Sequence, residues 1–122
     1  MNRLGELERK VMDILWDSMG QPLSGREVAD QFPDRAYTTV LTILERLRRK
    51  KLVNRRSENK VHVFSASATR ESYMAELMLD SLGNASDRDA VLVRFAETVS
   101  PEEALVLRKA LDRVTKSPKR SR

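Results

Sequence analysis

Between Glu6 and Ser65 the chain sets out a single order of elements. Three short amphipathic helical stretches, the first two closed by breakers, are followed by two short strands around a polar turn. Leu7, Val11, Ile14 and Leu15 recur at helical spacing and predict a first helix over Glu6–Ser18, ended by Gly20 and Pro22. Ser24 with Glu27 three residues on is a capping-box pair, so a short second helix opens there and spans Gly25–Phe32, with Val28 and Phe32 facing inward. Pro33 and Asp34 break it. A third helix follows over Ala36–Lys50, burying Val40, Ile43, Leu44 and Leu47. Strands at Leu52–Ser57 and Val61–Ser65 flank the turn Glu58-Asn59-Lys60, with Val53, Val61, Val63 and Phe64 as their apolar residues. The single histidine, His62, reads as an ordinary half-exposed strand residue.

Three helices and a hairpin, in that order, are a helix-turn-helix unit with an appended wing. The second and third helices then form the helix-turn-helix, and the third enters the major groove of DNA. Its outward face carries Thr38, Thr39, Thr42, Glu45, Arg46 and Arg49. Threonine is a mediocre helix former, and capping explains one of three, not all. A hydroxyl beside a methyl suits base edges, the methyl especially suiting thymine. The base-reading face is therefore expected to hold Tyr37, Thr38, Thr39, Thr42 and Arg46. Phosphate contacts are expected from Arg49 and from the wing residues Arg55, Arg56 and Lys60.

Charge supports this division of labour. Residues 1–70 carry 14 Lys/Arg against 9 Asp/Glu, residues 71–113 carry 5 against 9, and residues 114–122 carry four basic residues and no acidic one. The basic surface thus belongs to the N-terminal half and is densest from Arg46 to Lys60. Such a balance favours an anionic partner.

The second half predicts three more helices. One runs from Thr69 to Leu82 and stops at Gly83 and Asn84. The next opens on Ser86 and Asp89, in capping-box spacing, and reaches Val99. The last opens on Ser100-Pro101-Glu102-Glu103 and is lined by Ala104, Leu107, Leu111 and Val114. These helices hold more apolar side chains than a small appendage can bury, and about 68 residues make a marginal core alone. The economical reading is a homodimer, with Leu77, Met78, Val91, Phe95, Leu107, Leu111 and Val114 at the contact. The other reading packs them back on the N-terminal half of a monomer. The domains expected are a winged helix over 1–68, a helical dimerisation domain over 69–114 and a disordered basic tail over 115–122.

Other function classes find little support. The chain has no cysteine, which removes disulfides, thiolate metal sites and a cysteine nucleophile. With one histidine, no HExxH site is possible, and neither a P-loop nor a GxGxxG run is present. Glu102 and Glu103 are adjacent on a helix and serve its cap rather than paired acid–base chemistry. No enzyme activity, cofactor or metal is expected. Nothing in MNRLGELERK reads as a signal peptide and no apolar run has membrane-spanning length, so the cytoplasm is the expected compartment and no membrane partner is expected. A winged helix that binds RNA or protein is the alternative from another class.

LGELERKVMDILW, LSGREVADQF and AYTTVLTILERLRRKKLVNRRSENKVHVFSAS carry a further signal. Through these stretches the chain resembles the penicillinase-repressor family, the BlaI/MecI type of bacterial regulators, with a weaker likeness continuing to near Val114. The resemblance implies a dimeric repressor with an N-terminal winged helix, a C-terminal helical dimerisation domain and a palindromic operator ahead of β-lactamase or related genes. It places Thr38, Thr39, Thr42 and Arg46 on the DNA-reading helix. It also implies relief of repression by a protease, and VLVRFAETV aligns the cut bond with Arg94–Phe95, where the staphylococcal members have asparagine before the phenylalanine. A copper-sensing branch of the family uses cysteines, which this chain lacks.

Overall fold

The computed structural model describes residues 3–116. Its elements run α1 (Glu6–Asp17), β1 (Leu23–Ser24), α2 (Gly25–Ala29), α3 (Tyr37–Arg49), β2 (Val53–Glu58), β3 (Val61–Ala66), α4 (Arg70–Gly83), α5 (Arg88–Thr98) and α6 (Pro101–Thr115). The chain divides into two compact units, one through Asp80 and one from Ser81 onward. The first is a winged helix: three helices and a three-stranded antiparallel sheet in the order β1-β3-β2.

Among the described residues the buried side chains all belong to the first unit. Val11, Val28, Val40, Leu44 and Leu47 are fully buried, and Met12, Leu15, Val53 and Phe64 nearly so. α3 presents Val40, Ile43, Leu44 and Leu47 to this core, as its spacing predicts. α1 differs from expectation. Its buried stripe is Glu8, Val11, Met12, Leu15 and Trp16, while Leu7 and Ile14 sit half-buried at the margins. The stripe turns because Trp16 is the largest side chain available and finds specific partners. Its indole N–H donates to the Ala68 carbonyl at 3.1 Å, and its ring lies 5.4 Å from that of Tyr73. The Arg70 guanidinium covers the same ring at 5.3 Å and reaches Asp13 and Asp17 at 3.3 and 3.0 Å.

These contacts move the expected boundary after residue 68. Tyr73 is 5% exposed in the winged-helix core and Leu77 packs against that core, so the first two turns of α4 belong to the N-terminal unit. α2 ends at Ala29 rather than Phe32, because the chain from Asp30 turns ahead of Pro33, which cannot donate to a helix. Phe32 nevertheless packs on the core. β1 was not expected. Two residues, Leu23 and Ser24, pair with Phe64 and Val63 and close the sheet on the wing's inner strand.

The wing turn is tighter than the three-residue turn expected. Glu58 pairs with Val61, leaving Asn59 and Lys60 as a two-residue loop, both at positive φ (52° and 67°). That is the geometry of a type I′ hairpin, which suits asparagine first and glycine second. α3 ends in a related way: Leu52 N–H donates to the Leu47 carbonyl and Lys51 N–H to that of Arg48, with Lys51 at φ 69° where glycine is usual.

The second unit contains the end of α4, then α5 and α6. Ser100 and Glu103 form the reciprocal cap expected for α6, with bonds of 3.0 and 2.9 Å. The start of α5 is a correction. Asp87 caps it, its carboxylate accepting from the Ala90 amide at 3.0 Å, and the Ser86–Asp89 box does not form. A carboxylate outcompetes a hydroxyl for the positive end of a helix. Thr115 completes α6, although it was expected in the tail, and residues 117–122 of that tail lie outside the described residues. α5 and α6 contain no buried residue.

Candidate nucleic-acid interface

α3 is held by two elements. Leu44 and Leu47 anchor it in the core, and Gly25 lets the start of α2 press against it. A Cβ at Gly25 would lie 2.7 Å from Leu41 Cδ2, so a larger residue there must displace that side chain. With its inner face anchored, α3 exposes Thr38, Thr39, Thr42, Arg46 and Arg49, the stripe predicted from spacing. No side chain caps α3 at Ala36, so the threonines are not there as caps. Thr42 donates its hydroxyl proton to the Thr38 carbonyl at 2.9 Å, which leaves its methyl group and oxygen lone pairs to face outward.

The basic residues separate into two groups. Arg46 is more than half exposed, yet its Nη1 lies 3.8 Å from Glu8, a carboxylate only 8% exposed. Lys50 binds the same carboxylate at 3.0 and 3.2 Å, and the Gly5 amide donates to it at 2.9 Å. Burial opposes the charge on Glu8, but the Gly5 amide and the Lys50 ammonium outweigh it and hold the carboxyl below its ordinary range. On the wing, Arg55 does not stand free: its Nη1 donates to Glu45 at 2.8 Å, and Arg48 grips the same carboxylate at 2.9 Å. Chiefly through the Arg48 bond, and against a burial cost, Glu45 also titrates below its ordinary range. Arg55 faces Phe64 across the ladder and shares its side of the sheet, toward α3, which is why it finds Glu45. Arg56 lies on the other side and bonds Glu58 at 3.0 Å through Nε. Lys60, at the tip, and Arg49 are exposed.

Thus the structure gathers the predicted threonines on one face of α3 and adds a layer of internal ion pairs beneath the predicted arginines. The roles of Glu8 and Glu45 as counter-ions are not read from the sequence, although Glu45 is placed on the outward face of α3. Glu8 could have been found, since it stands one turn ahead of Val11 and Met12 on the buried stripe. Tyr37 was expected to read bases, but its ring is engaged by Arg26, whose guanidinium carbon lies 4.1 Å from the ring centroid.

The penicillinase-repressor family model matches residues 4–113. The chain belongs to the penicillinase-repressor family. It is 43% identical over 117 residues to the transcriptional regulator BlaI of Mycobacterium tuberculosis strain CDC 1551 / Oshkosh, spanning 91% of this chain and 84% of that one. The BlaI of strain ATCC 25618 / H37Rv matches equally. Members of this family are transcriptional regulators and not enzymes, and this chain is a winged-helix regulator of that kind. Among solved structures, a MarR family protein from Bacillus stearothermophilus superposes with a TM-score of 0.52 at 18% identity, covering 98% of this chain and 78% of that one. A Staphylococcus aureus MepR–DNA complex gives 0.53 at 16% identity, covering 80% and 82%. At such identity these two establish the fold alone. Among the described residues no helix is long and apolar enough to cross a membrane.

Proposed function

We propose that the protein is a homodimeric repressor that binds a palindromic operator in double-stranded DNA and acts in the cytoplasm. The observation that carries this reading is the face of α3. Three threonines and two arginines are exposed on a helix whose other side is fixed in a closed core. A winged helix so built offers α3 to the major groove and its hairpin to the neighbouring backbone. The mycobacterial relative's name, a transcriptional regulator, supports a role of this kind, and the DNA-bound MepR neighbour shows only that a chain of this fold can sit on DNA.

In this reading Thr38, Thr39 and Thr42 touch base edges, and Arg46 joins them by leaving Glu8 to Lys50 and the Gly5 amide. Arg49, Arg56 and Lys60 meet phosphates. Two copies joined through α5 and α6 set the half-sites one helical turn, or a small multiple, apart. Val91, Phe95, Leu107, Leu111 and Val114 are exposed and available for that contact, as is Met78 on α4. Leu77 is left out of it, because the winged-helix core already uses its side chain. The family's mode of relief maps onto Arg94–Phe95. The Arg94 side chain is 85% exposed, but the bond lies inside α5, so an inducing protease must first open the helix locally. The regulated genes in this reading are β-lactamase or related genes.

The test is base discrimination. Thr39→Ala should weaken binding to operator selected from random duplexes by about 1–3 kcal/mol and change binding to generic duplex little. Equal losses on both would show that this face does not read sequence.

A further inference from the structure

We propose that Arg26 is a phosphate-binding residue of the DNA interface, held in place by the Tyr37 ring, which acts as its platform rather than as a base reader. The inference rests on the DNA-binding reading above and adds a contact from α2 that the sequence did not suggest.

Three observations carry it. The first is charge accounting. Arg46, Arg48, Arg55 and Arg56 each reach a carboxylate, whereas among the described residues no carboxylate forms an ion pair with Arg26. The acid next to it in sequence, Glu27, is committed to the Ser24 amide at 2.8 Å. Arg26 is exposed and open to an outside anion. The second is order. The guanidinium carbon lies 4.1 Å from the centroid of the Tyr37 ring, and Tyr37 is the first residue of α3. A stacked guanidinium has fewer rotamers to lose on binding and still presents its planar edge of N–H donors, the geometry that suits a phosphate. The third is placement. Gly25, the preceding residue, brings α2 into contact with Leu41 of α3. Arg26 is therefore tied to the N-terminal end of the reading helix, the end that enters the groove and is flanked by backbone.

The experiment is a salt titration of a labelled duplex of generic sequence, with melting curves to verify that each full-length variant is folded. Arg26→Ala should weaken binding about threefold to tenfold and lower the slope of log affinity against log salt by about 1. Arg26→Lys should keep the slope, since the charge remains, and lose part of the affinity because the planar stack is gone. Tyr37→Leu should weaken wild type but add little in the Arg26→Ala background. If wild type shows no salt-dependent duplex binding, the DNA-binding reading itself falls. If wild type binds with a steep slope that Arg26→Ala leaves unchanged, Arg26 touches no phosphate and this inference alone is overturned. Additive losses from Arg26→Ala and Tyr37→Leu would overturn the platform role, since each side chain would then contact DNA independently. Arg26→Gln, with the same expected slope change, replaces Arg26→Ala should that variant melt early.

Discussion

The two units solve the burial problem in different ways. Through Asp80 the chain closes a core around Val11, Leu15, Val28, Val40, Leu44, Leu47 and Phe64. From Ser81 on, two well-capped helices leave Leu92, Val93, Leu105, Val106 and Leu111 roughly half exposed or more. Capping and packing are thus separable. Ser100, Pro101 and Glu103 start α6 from local chemistry alone, but a cap contributes only about 1 kcal/mol. That cannot sustain helices whose apolar side chains have nothing to touch. In α5, Val91, Leu92, Val93 and Phe95 lie on more than one side of the helix, the pattern of an element enclosed by others. The C-terminal unit reads as half of a core, and in the proposed dimer a second copy supplies the other half.

Breaking that comparison takes one charge. Leu107 is 37% exposed on the stripe with Leu111 and Val114, so an aspartate there costs an isolated chain little. In a dimer it buries an unpaired carboxylate. Leu107→Asp should therefore leave the winged helix folded, shift sedimentation to the monomer, and reduce operator affinity by about 10² to 10⁴ as effective concentration is lost. A folded variant that stays dimeric with full operator affinity would place the interface elsewhere. It would also remove the mechanical reason why a cut at Arg94–Phe95 should release DNA.

The same contrast explains what the sequence could disclose. Apolar periodicity located the helices in both units, and local caps or breakers marked the ends of most of them, α3 being the exception. The face of α3 was legible for the same reason: spacing fixes which side Val40, Ile43, Leu44 and Leu47 bury, and Thr38, Thr39 and Thr42 are what remains. Contacts between distant residues were not legible. The Trp16–Tyr73 stack, the short β1 pairing and the Glu45–Arg55 bridge each join segments that no local pattern connects. They decide where the first unit ends and which arginines are already engaged. Hence Arg55 was read as a phosphate ligand from its place on the wing, whereas its partner sits on α3.

The buried ion pair of the first unit sharpens the comparison, since the described residues of the second unit hold only a marginal, exposed pair between Arg94 and Glu97. Glu8 titrates below its ordinary range in the folded protein. Its contribution is then complete above the unfolded-state value of about 4.3 and is lost as pH falls through the lower folded-state value. Glu8→Gln should cost about 1–3 kcal/mol near neutral pH and little at the acid end. Chemical denaturation of both proteins across the acid range measures this. Parallel curves at every pH would show that Glu8 contributes by shape and not by charge.

The smallest expected effect lies at the wing tip, where stability and binding are set against each other. Lys60 adopts φ 67°, a conformation that costs a residue with a Cβ about 1 kcal/mol and glycine almost nothing. Asn59 before it already suits the turn. Lys60→Gly should therefore stabilise the wing by about 0.5–1 kcal/mol, less whatever the more flexible unfolded chain takes back. If the strained lysine is kept for its charge, the same substitution weakens binding to any duplex and lowers the salt slope by about 1. A melting curve and a salt titration on one variant separate the two effects. A gain in stability with an unchanged slope would mean that the strain at Lys60 serves no DNA contact. A lower slope with a gain in stability would show that the first unit, otherwise well packed, gives up folding energy at the point where a phosphate is met.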